Sequence, residues 1–590
     1  MIRSHVLALG ILSAITLAGG AVAKEPAVPD SPARAALREK LSELPADGSD
    51  VERQERAALA AFYEARGTAP LWIEGKGLTP KAAAAIAEIE NAGAWGLDGS
   101  GFSLPELSAA GDSAGELAPD TIAGTEIKLS LAVLKYARYA RGGRIMDPAG
   151  ELSSHIDRKP KLIDPRIVLD GIANTEAADA YLRGLHPRHP QFERLRQTYL
   201  AVRGGPKAAA KLADGGPDLA PGTTHADVAA LRRRLGVRTA TPAAGSGDDT
   251  VYDEALREAV IAFQKDNGLA PADGVVGAAT RAALGKAGGI DPKKLLANME
   301  QWRWMWEDMG DLYLLANVPE FMLRVVKGGA VIHAERIVAG ETGKQTSIFS
   351  RPLKSIVFRP MWRVPESIKV RELWPSLVRG GGLMRQYGLE VETKDGQPRD
   401  WRAIDWTKAD IRDYEVVQPP GRKSVLGVVK FTFPSQHTIY MHDTPDKWMF
   451  NSSQRTLSHG CLRLRNPLRV AEIVLAEDKG WSAERVGELA KGGPLNNEVV
   501  IGREVPMHIT YFTAWVEAGG KVLSFPDVYG HEKRIRLALE GRWNEIVKGR
   551  DHLAPVEPVP VAAIPEQAAE PKPKEPAFLD PLSAVIAGGF

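Results

Sequence analysis

The sequence contains a single cysteine, Cys461, among 590 residues. A chain with one thiol can form neither an internal disulfide nor a cysteine-rich zinc site, so its folded state depends on burying apolar surface. Its length predicts several domains, at about 150 residues each. The 44% of hydrophobic and 25% of charged residues are ordinary for globular proteins, and a net charge of +1 argues against a nucleic-acid partner.

The first residues have the pattern of a secretory signal peptide. Arg3 precedes an apolar run from Val6 to Leu17, and Ala21-Val22-Ala23 stands before Lys24. We therefore expect residues 1–23 to be removed on export. The apolar run is short for a membrane span and no other stretch approaches that length, so no stable span is expected after cleavage. An uncleaved anchor is the alternative.

Export bears on the role of Cys461. An unpaired thiol outside the cytoplasm is open to oxidation unless it has a use. Free cysteines commonly act as small buried hydrophobic residues. This one, however, follows Gly460, which permits a close backbone approach, and precedes Arg463 and Arg465, whose charges lower a thiol's pKa. The pattern favours a nucleophilic cysteine.

Residues 24–215 read mainly as helices separated by proline and glycine. Helical periodicity is clearest at Val51–Arg66, Lys128–Arg141 and Phe192–Arg203. The nearby histidines His186 and His189 lack a carboxylate or cysteine cluster, so a metal site is not expected there. We interpret this region as a helical scaffold domain without chemistry of its own.

Residues 216–288 predict three short helices around one small core. Asp227 and Asp253 are placed to begin two of them, and a third follows through Leu284. The motifs Phe263-Gln264, Gly268-Leu269 and Asp273-Gly274-Val275-Val276-Gly277 resemble those of a three-helix peptidoglycan-binding domain. A spacer bundle is the alternative.

After a helical bridge at residues 289–309, the pattern changes to strands. Strands are predicted at Leu312–Val318, Phe321–Val326, Ala330–Ala339, Val428–Phe433, Thr438–His442, Val499–Ile501 and Met507–Val516. Residues 365–420, which contain Gly380-Gly381-Gly382, are interpreted as a lid or capping insertion. The fold class predicted for the whole chain is multidomain α+β, with a mainly-β domain from residue 310 to 535.

His442 ends one of these strands, and Asn466-Pro467 is typical of a helix start. Cys461 should therefore lie in a turn or short strand that leads into a helix. Backbone N–H groups can converge on an oxyanion at such a place.

The order of residues around this turn resembles a known catalytic motif. His442, fifteen intervening residues and then Ser458-His459-Gly460-Cys461-Leu462-Arg463 are similar to the YkuD-type catalytic domain of L,D-transpeptidases. Together with the signal peptide, scaffold and peptidoglycan-binding module, the chain resembles the long periplasmic L,D-transpeptidases of Gram-negative bacteria. The resemblance implies a periplasmic location and no metal or organic cofactor.

The resemblance also implies roles for site residues. Cys461 would be the nucleophile and His442 the general base, oriented by the backbone carbonyl of Asp443. The N–H groups of Gly460 and Cys461 would form the oxyanion hole. Four more residues would face the substrate: Ser458, His459, Arg463 and Tyr440. His459 could instead be structural, and it would become the base if His442 were remote from the sulfur. Arg463 would bind a carboxylate or brace the loop, whereas Tyr440 and Trp448 could form a wall or belong to the core.

The activity implied is a ping-pong acyl transfer. Cys461 would attack the third residue of a tetrapeptide stem, release D-Ala, and pass the acyl group to a diaminopimelate amine, giving a 3→3 cross-link. Carbapenems should acylate Cys461. The partners are donor and acceptor stem peptides, with other cell-wall synthesis enzymes as further candidates.

Other activities are compatible with the same motif. Water, a free D-amino acid or a lipoprotein lysine could replace the acceptor, giving carboxypeptidase, exchange or anchoring activity. A non-catalytic cell-wall-binding scaffold is opposed by the intact motif, and a metallopeptidase by the lack of ligand spacing.

Two features depart from the family pattern or fall outside it. Ser424 and Pro434-Ser435-Gln436-His437 stand where relatives commonly have other residues, which puts details of the lid in doubt. Residues 550–590 are rich in proline, alanine and charged residues, and this composition predicts a disordered tail.

Overall fold

The computed structural model describes residues 31–106, 117–203, 216–235, 237, 250–266, 269–286, 290–305, 308–421 and 423–557. The predicted signal peptide at 1–23 lies outside these ranges. The chain divides into two compact units: one holds the described residues up to Ala83 with those of Leu104–Leu131, and the other holds Ala84–Ser103 with those from Ala132 onward. The predicted scaffold region is thus divided between both units.

The first unit begins with two helices and a short hairpin. These are α1 Pro32–Ser42, α2 Asp50–Ala65, β1 Ile73–Glu74 and β2 Gly77–Leu78. Ser49 and Glu52 form a capping box at the start of α2, which satisfies two of its free N–H groups. The helix predicted at Val51–Arg66 is confirmed to within one residue.

A buried carboxylate organises this unit. Glu126 accepts hydrogen bonds from the Tyr63 hydroxyl at 2.6 Å and from the N–H groups of Leu71, Trp72 and Ile73 at 2.8, 2.7 and 2.9 Å. These bonds fix the chain as it enters β1. Burial raises the pKa of Glu126, while the Tyr63 and backbone donors oppose that shift.

The remaining helices before residue 204 are α3 Pro80–Glu90, α4 Pro119–Gly142, α5 Pro148–Glu151, α6 Pro165–Ala173, α7 Ala178–Arg183 and α8 Pro190–Arg203, with 3-10 turns at Asn91–Trp95 and Gly99–Gly101. The helix predicted from Lys128 begins earlier, at Pro119. His186 is a core residue: it lies 3.0 Å from the Tyr136 hydroxyl and stacks on Trp95.

The three-helix domain is confirmed. Its helices are α9 Ala226–Leu235, α10 Glu254–Asp266 and α11 Ala278–Lys286. Asp253 Oδ1 accepts the Leu256 N–H at 2.9 Å and so caps α10 as predicted. The shared core consists of Leu219, Val228, Leu231, Tyr252, Leu256, Val260, Val276 and Leu284.

The predicted bridge is a buried helix, α12 Pro292–Arg303. It packs against α8 and a later helix, α18 His531–Leu539. Trp302 is 1% exposed and stacks on Phe512 with ring centroids 4.5 Å apart. The bridge therefore forms part of the interior of the second unit.

The later strands are β3 Leu312–Asn317, β4 Met322–Lys327, β5 Ala330–Gly340, β6 Ser350–Pro352, β7 Ser355–Phe358, β8 Trp362–Arg363, β9 Glu390–Thr393, β10 Pro398–Arg399, β11 Tyr414–Gln418, β12 Val429–Thr432, β13 Met441–His442, β14 Thr456–Ser458, β15 Leu462–Leu464, β16 Asn497–Val500, β17 Pro506–Thr510, β18 Ala514–Val516 and β19 Val522–Ser524. The accompanying helices are α13 Glu366–Ile368, α14 Trp374–Val378, α15 Gly382–Tyr387, α16 Pro467–Lys479 and α17 Ala483–Gly492, with a π-helix at Lys369–Leu373 and 3-10 turns at Trp401–Ala403, Ile411–Asp413, Lys447–Asn451 and Trp543–Glu545.

An eleven-stranded sheet dominates the second unit. Its order is β16-β7-β12-β13-β15-β5-β4-β3-β17-β6, and β14 also pairs with β5. On one face Phe431, Met441 and Leu462 pack with Val470 and Val474 of α16 in the main core. The mainly-β character predicted for this domain is confirmed.

The predicted lid insertion covers part of the opposite face. Three of its strands form a separate four-stranded sheet with β8, which lies just before the insertion, in the order β10-β9-β11-β8. Its own apolar cluster includes Trp374, Leu377 and Val416, and Val338 of β5 belongs to the same cluster. Because strand side chains alternate between faces, the large sheet carries one core on each side.

Two strand predictions need correction. The strand expected at Met507–Val516 is two strands, because Asn317 hydrogen-bonds both the N–H and the C=O of Phe512, which removes that residue from strand pairing. The strand expected at Thr438–His442 is only β13, because Thr438 has a φ of 51°, outside the extended region.

The predicted disorder from residue 550 does not apply to residues 550–557, which the structure describes. Residues 558–590 lie outside the described ranges. Among the helices that are described, none is both long and apolar enough to cross a membrane.

Replacing Glu126 by Ala should destabilise the first unit by about 3 kcal/mol or more, because four buried donors lose their acceptor. Hydrogen exchange of the Leu71–Ile73 amides should accelerate in the full chain. Glu64→Ala, on the exposed side of α2, is the matched control and should leave that exchange unchanged. Equal protection in both variants would contradict this role.

Candidate active site

Strand register places the candidate catalytic residues in one row. β13 pairs with β12 so that His442 lies opposite Lys430, and it pairs with β15 so that His442 lies opposite Arg463. Directly paired residues point to the same face of a sheet. Tyr440 and Cys461, two residues before His442 and Arg463 respectively, belong to this face as well. It is the face that the lid insertion covers.

His442 is held in one orientation. Its Nδ1 lies 2.5 Å from the backbone oxygen of Asp443, the contact expected from the sequence. The Asp443 carboxylate is itself fixed by the Val428 N–H at 3.0 Å and by Lys447 Nζ at 2.6 Å. An Nδ1–H that donates to this carbonyl leaves Nε2 as the free basic nitrogen.

The His442 side chain is neutral near pH 7. Burial lowers its pKa to about 3, and the neighbouring Arg463 cation adds to that shift. The residue is 4% exposed. A neutral imidazole with a free Nε2 can accept a proton.

A tight loop presents Cys461. Gly460 has a φ of 112°, a backbone conformation that residues with a side chain rarely adopt. Its carbonyl accepts the Thr346 hydroxyl at 2.8 Å, and Thr346 Oγ1 accepts the Gly340 N–H at 2.9 Å. The loop before the cysteine is thus tied to the end of β5.

Ser458 closes the loop in front of the nucleophile. Its hydroxyl donates to the Cys461 carbonyl at 2.6 Å and accepts the Gly460 N–H at 3.2 Å. The side chain is buried and closes the loop, and its contact with substrate stays a prediction. Because the Gly460 N–H donates to the Ser458 hydroxyl, it is not free to bind an oxyanion, which argues against its predicted role. The Cys461 N–H remains as the candidate oxyanion donor.

The Cys461 thiol is neutral at rest. Burial raises its pKa. Hydrogen bonds from the backbone N–H and hydroxyl of Tyr440, and the positive charges of Lys430 and Arg463, act in the opposite direction. Tyr440, which the sequence left between wall and core, therefore contacts the sulfur.

Arg463 is buried beside this pair with weak partners. Its Nη1 lies 2.9 Å from Met449 Sδ and 4.0 Å from Asp446 Oδ2. Its Nε is buried and has no hydrogen-bond partner within the described part of the chain. The guanidinium thus has unused hydrogen-bonding capacity near the thiol.

His459 points to the lid. Its Nε2 lies 2.8 Å from Glu372 Oε1, and Lys344 Nζ contacts the same oxygen at 2.9 Å. Glu372 belongs to the π-helix of the insertion. The histidine next to the nucleophile loop thus connects it to the lid, which leaves His442 as the histidine with a free nitrogen.

The row opens into a cavity of about 620 Å³. Its walls include Tyr440, His442 and Cys461, the lid residues Pro365–Ile368, and residues 548–556. Trp448, a wall candidate from the sequence, is 47% exposed and is not among the lining residues. A cavity of this size can hold a peptide-sized ligand.

Residues 548–557, here named the C-terminal strap, are held by His552. This side chain contacts Ser154 Oγ at 2.9 Å, Ser347 Oγ at 3.2 Å and His437 Nδ1 at 2.8 Å, and it stacks on His155 with centroids 3.8 Å apart. Sequence reasoning missed this wall, because its contacts join residues that are far apart in the chain.

Within the described ranges, no group of three or more histidine, cysteine, aspartate or glutamate side chains is arranged to hold a metal ion.

Comparison with known proteins assigns three regions. Residues 311–501 match the model of the L,D-transpeptidase catalytic domain, residues 224–284 that of a "Putative peptidoglycan binding domain", and residues 57–198 that of a scaffold domain. These matches agree with the catalytic, three-helix and scaffold regions expected from the sequence.

A Haemophilus influenzae protein named "Putative L,D-transpeptidase" is 29% identical over 257 residues, which cover 43% of this chain. The chain spans about half of that relative, 51% of its length.

Similar solved structures include an L,D-transpeptidase from Mycobacterium smegmatis, with 12% identity and a TM-score of 0.16 over 34% of this chain and 58% of that chain. Another is L,D-transpeptidase 3 from Mycobacterium tuberculosis in complex with a faropenem-derived adduct, with 13% identity and a TM-score of 0.17 over 34% and 60%.

Acid should release the C-terminal strap. Burial lowers the pKa of His155 to about 3 and that of His552 to about 4. A released histidine titrates near 6.5, so docking is fully favoured above that pH and weakens as the pH falls toward 4. Hydrogen exchange in the strap, corrected for its intrinsic pH dependence, should rise several-fold between about pH 7.5 and pH 5.5.

The control for this experiment is His552→Gln, which has no charge to gain and keeps a hydrogen-bonding side chain. Its strap should exchange with much less dependence on pH. Equal pH dependence in wild type and variant would show that these histidines do not control docking.

Proposed function

We propose that this chain, which carries an L,D-transpeptidase catalytic domain and a peptidoglycan-binding module, cross-links peptidoglycan stem peptides through an acyl-enzyme on Cys461. The observation that carries the proposal is the row itself. The only cysteine of the chain lies on the same sheet face as a histidine that keeps one nitrogen free, at the wall of a peptide-sized cavity.

The proposed first half-reaction begins from a neutral thiol and a neutral imidazole. Burial opposes charge on both groups, so we expect the proton to pass from Sγ to His442 Nε2 as the sulfur–carbon bond forms. The attacked carbonyl is that of the third residue of a tetrapeptide stem. Its oxygen becomes an oxyanion, and the Cys461 N–H is our candidate donor to it.

Collapse of this tetrahedral intermediate breaks the amide bond and expels D-Ala. The leaving nitrogen takes the proton from His442, which restores the neutral imidazole. In the second half-reaction, the amine of a diaminopimelate residue attacks the thioester and gives its proton to His442. The new amide is a 3→3 cross-link, and the sulfur leaves with a proton returned by the histidine.

The proposed substrate is anionic, and the cavity suits it. Arg463 has an unpartnered Nε beside the reacting groups, and Arg371 and Arg550 line the walls. Guanidinium groups bind carboxylates as bidentate donors. We assign the stem carboxylates to these cations, with Arg463 closest to the scissile bond.

We place the enzyme in the periplasm after removal of residues 1–23, where the module at 224–284 would hold it on the cell wall. Carbapenems should acylate Cys461, because their strained carbonyl meets the same nucleophile. Water, a D-amino acid or a lipoprotein lysine remain possible acceptors in the second half-reaction. The wide cavity between lid and strap favours a peptide acceptor.

Mass spectrometry of residues 24–590 incubated with a disaccharide-tetrapeptide tests the proposal. Wild type should yield a dimer lighter than two monomers by one D-Ala, and Cys461→Ala should yield none. His442→Gln should reduce the rate by about 10² to 10⁴, the usual contribution of a general base. His459→Gln is the matched histidine control. It should lose much less activity, because Nε2 of His459 is engaged by Glu372 in the wild type.

The outcomes separate the candidates. Release of D-Ala without a dimer would replace cross-linking by hydrolysis. If His459→Gln lowers the rate more than His442→Gln does, the role of general base passes to His459. Wild-type inertness toward both the stem peptide and a carbapenem would reject the catalytic proposal.

A further inference from the structure

Lys430 occupies an unexpected position for a charged residue. It lies on β12, an interior strand, directly opposite His442. The register continues across the sheet through Glu498, Val357, Lys430, His442, Arg463 and Val338. Lys430 is therefore a member of the catalytic row, although it lies outside the sequence motif that runs from His442 to Arg463.

Its ammonium group sits over an aromatic ring that touches the nucleophile. Lys430 Nζ lies 4.2 Å from the centroid of the Tyr440 ring. The strand register sets Tyr440 level with Cys461, and both line the same cavity; Tyr440 also lowers the pKa of the Cys461 thiol. A cation at this distance from a ring is attracted to its face, so Lys430 and Tyr440 hold each other beside the thiol.

No conventional partner explains the charge. Among the described residues, Lys430 Nζ makes no hydrogen bond or ion pair, and Glu498 acts on it only at longer range. Burial lowers the pKa of Lys430, whereas negative charge on Cys461 raises it. The ring of Tyr440 is therefore the main contact of this ammonium group among the described residues.

We propose that Lys430 is a positioning residue of the nucleophile, a fixed cation that stabilises negative charge on Cys461 Sγ and holds Tyr440 against it. The inference rests on Cys461 being the nucleophile of the proposed function. In the proposed cycle the thiol proton leaves as the sulfur attacks the stem carbonyl and returns as the sulfur leaves the thioester, so partial negative charge develops on Sγ at both steps. A cation on the neighbouring strand would favour both steps.

Several other titratable groups line the same cavity as Cys461 and bear on any pH measurement. They are Tyr440 just before β13, His442 on β13, Arg463 on β15, His459 and Lys344 in adjoining loops, Arg371 and Glu372 on the lid, and His552 on the strap. All remain unchanged in variants of Lys430, so a shift in the thiol titration can be assigned to that residue.

The test is the pH dependence of Cys461 alkylation by iodoacetamide in the full chain, followed by mass spectrometry. Cys461 is the only thiol, so the signal is unambiguous. Lys430→Met keeps the length of the side chain and removes its charge. We expect the apparent pKa of the thiol to rise by about one unit, which slows alkylation at neutral pH about tenfold. Lys430→Arg should restore most of the rate.

Lys327→Met is the matched control. Lys327 lies on β4 of the same sheet and pairs with Glu477 at 2.6 Å, away from the row. The Lys327→Met variant should have the same alkylation profile as the wild type. Thermal unfolding identifies any variant that fails to fold, and Lys430→Gln then takes the place of Lys430→Met.

An unshifted profile in Lys430→Met or its replacement would overturn the inference. So would a Lys430→Arg variant that shifts as much as Lys430→Met, since packing alone would then account for the effect. Alkylation requires no stem peptide, so failure of the cross-linking assay leaves this result readable. A shifted alkylation profile in Lys430→Met, together with no cross-linking by the wild type, would support the role of Lys430 and reject the proposed acceptor chemistry.

Discussion

The site depends on the pairing of the two-residue strand β13 between β12 and β15. This register aligns Lys430, His442 and Arg463, and it brings Cys461 level with Tyr440. A shift by one residue would turn each side chain to the opposite face. That face holds the main apolar core against α16, so burial of Met441 selects the register that also assembles the chemistry.

The loop before Cys461 fixes the position of the thiol relative to this register. Gly460 supplies a left-handed turn, while Ser458 and Thr346 use their hydroxyls to close it. His459 then contacts Glu372 of the lid. This contact joins the lid to the loop that carries the nucleophile, so a movement of the lid would displace a residue two positions before Cys461.

Burial governs the electrostatics of the site. It keeps both the thiol and the imidazole neutral, because each would lose hydration on becoming charged. The cations of Lys430 and Arg463 lie next to them with few protein partners. Such an arrangement is suited to stabilising charge that appears only during reaction, for which fixed groups need no reorganisation.

Local patterns in the sequence determined much of this protein: the spacing from His442 to Cys461, the three-helix domain and the strands from residue 312. The contact of His442 with Asp443 was implied by the family resemblance that this spacing carries. Helix periodicity, caps and strand alternation act over a few residues, so they can be recognised without a fold. Only the tertiary structure placed Lys430 beside His442 and brought His552 to the cavity, where it meets Ser154 across 398 positions of chain. Strand register and long-range docking are decided by the burial of surfaces that are distant in sequence, and no local pattern encodes them.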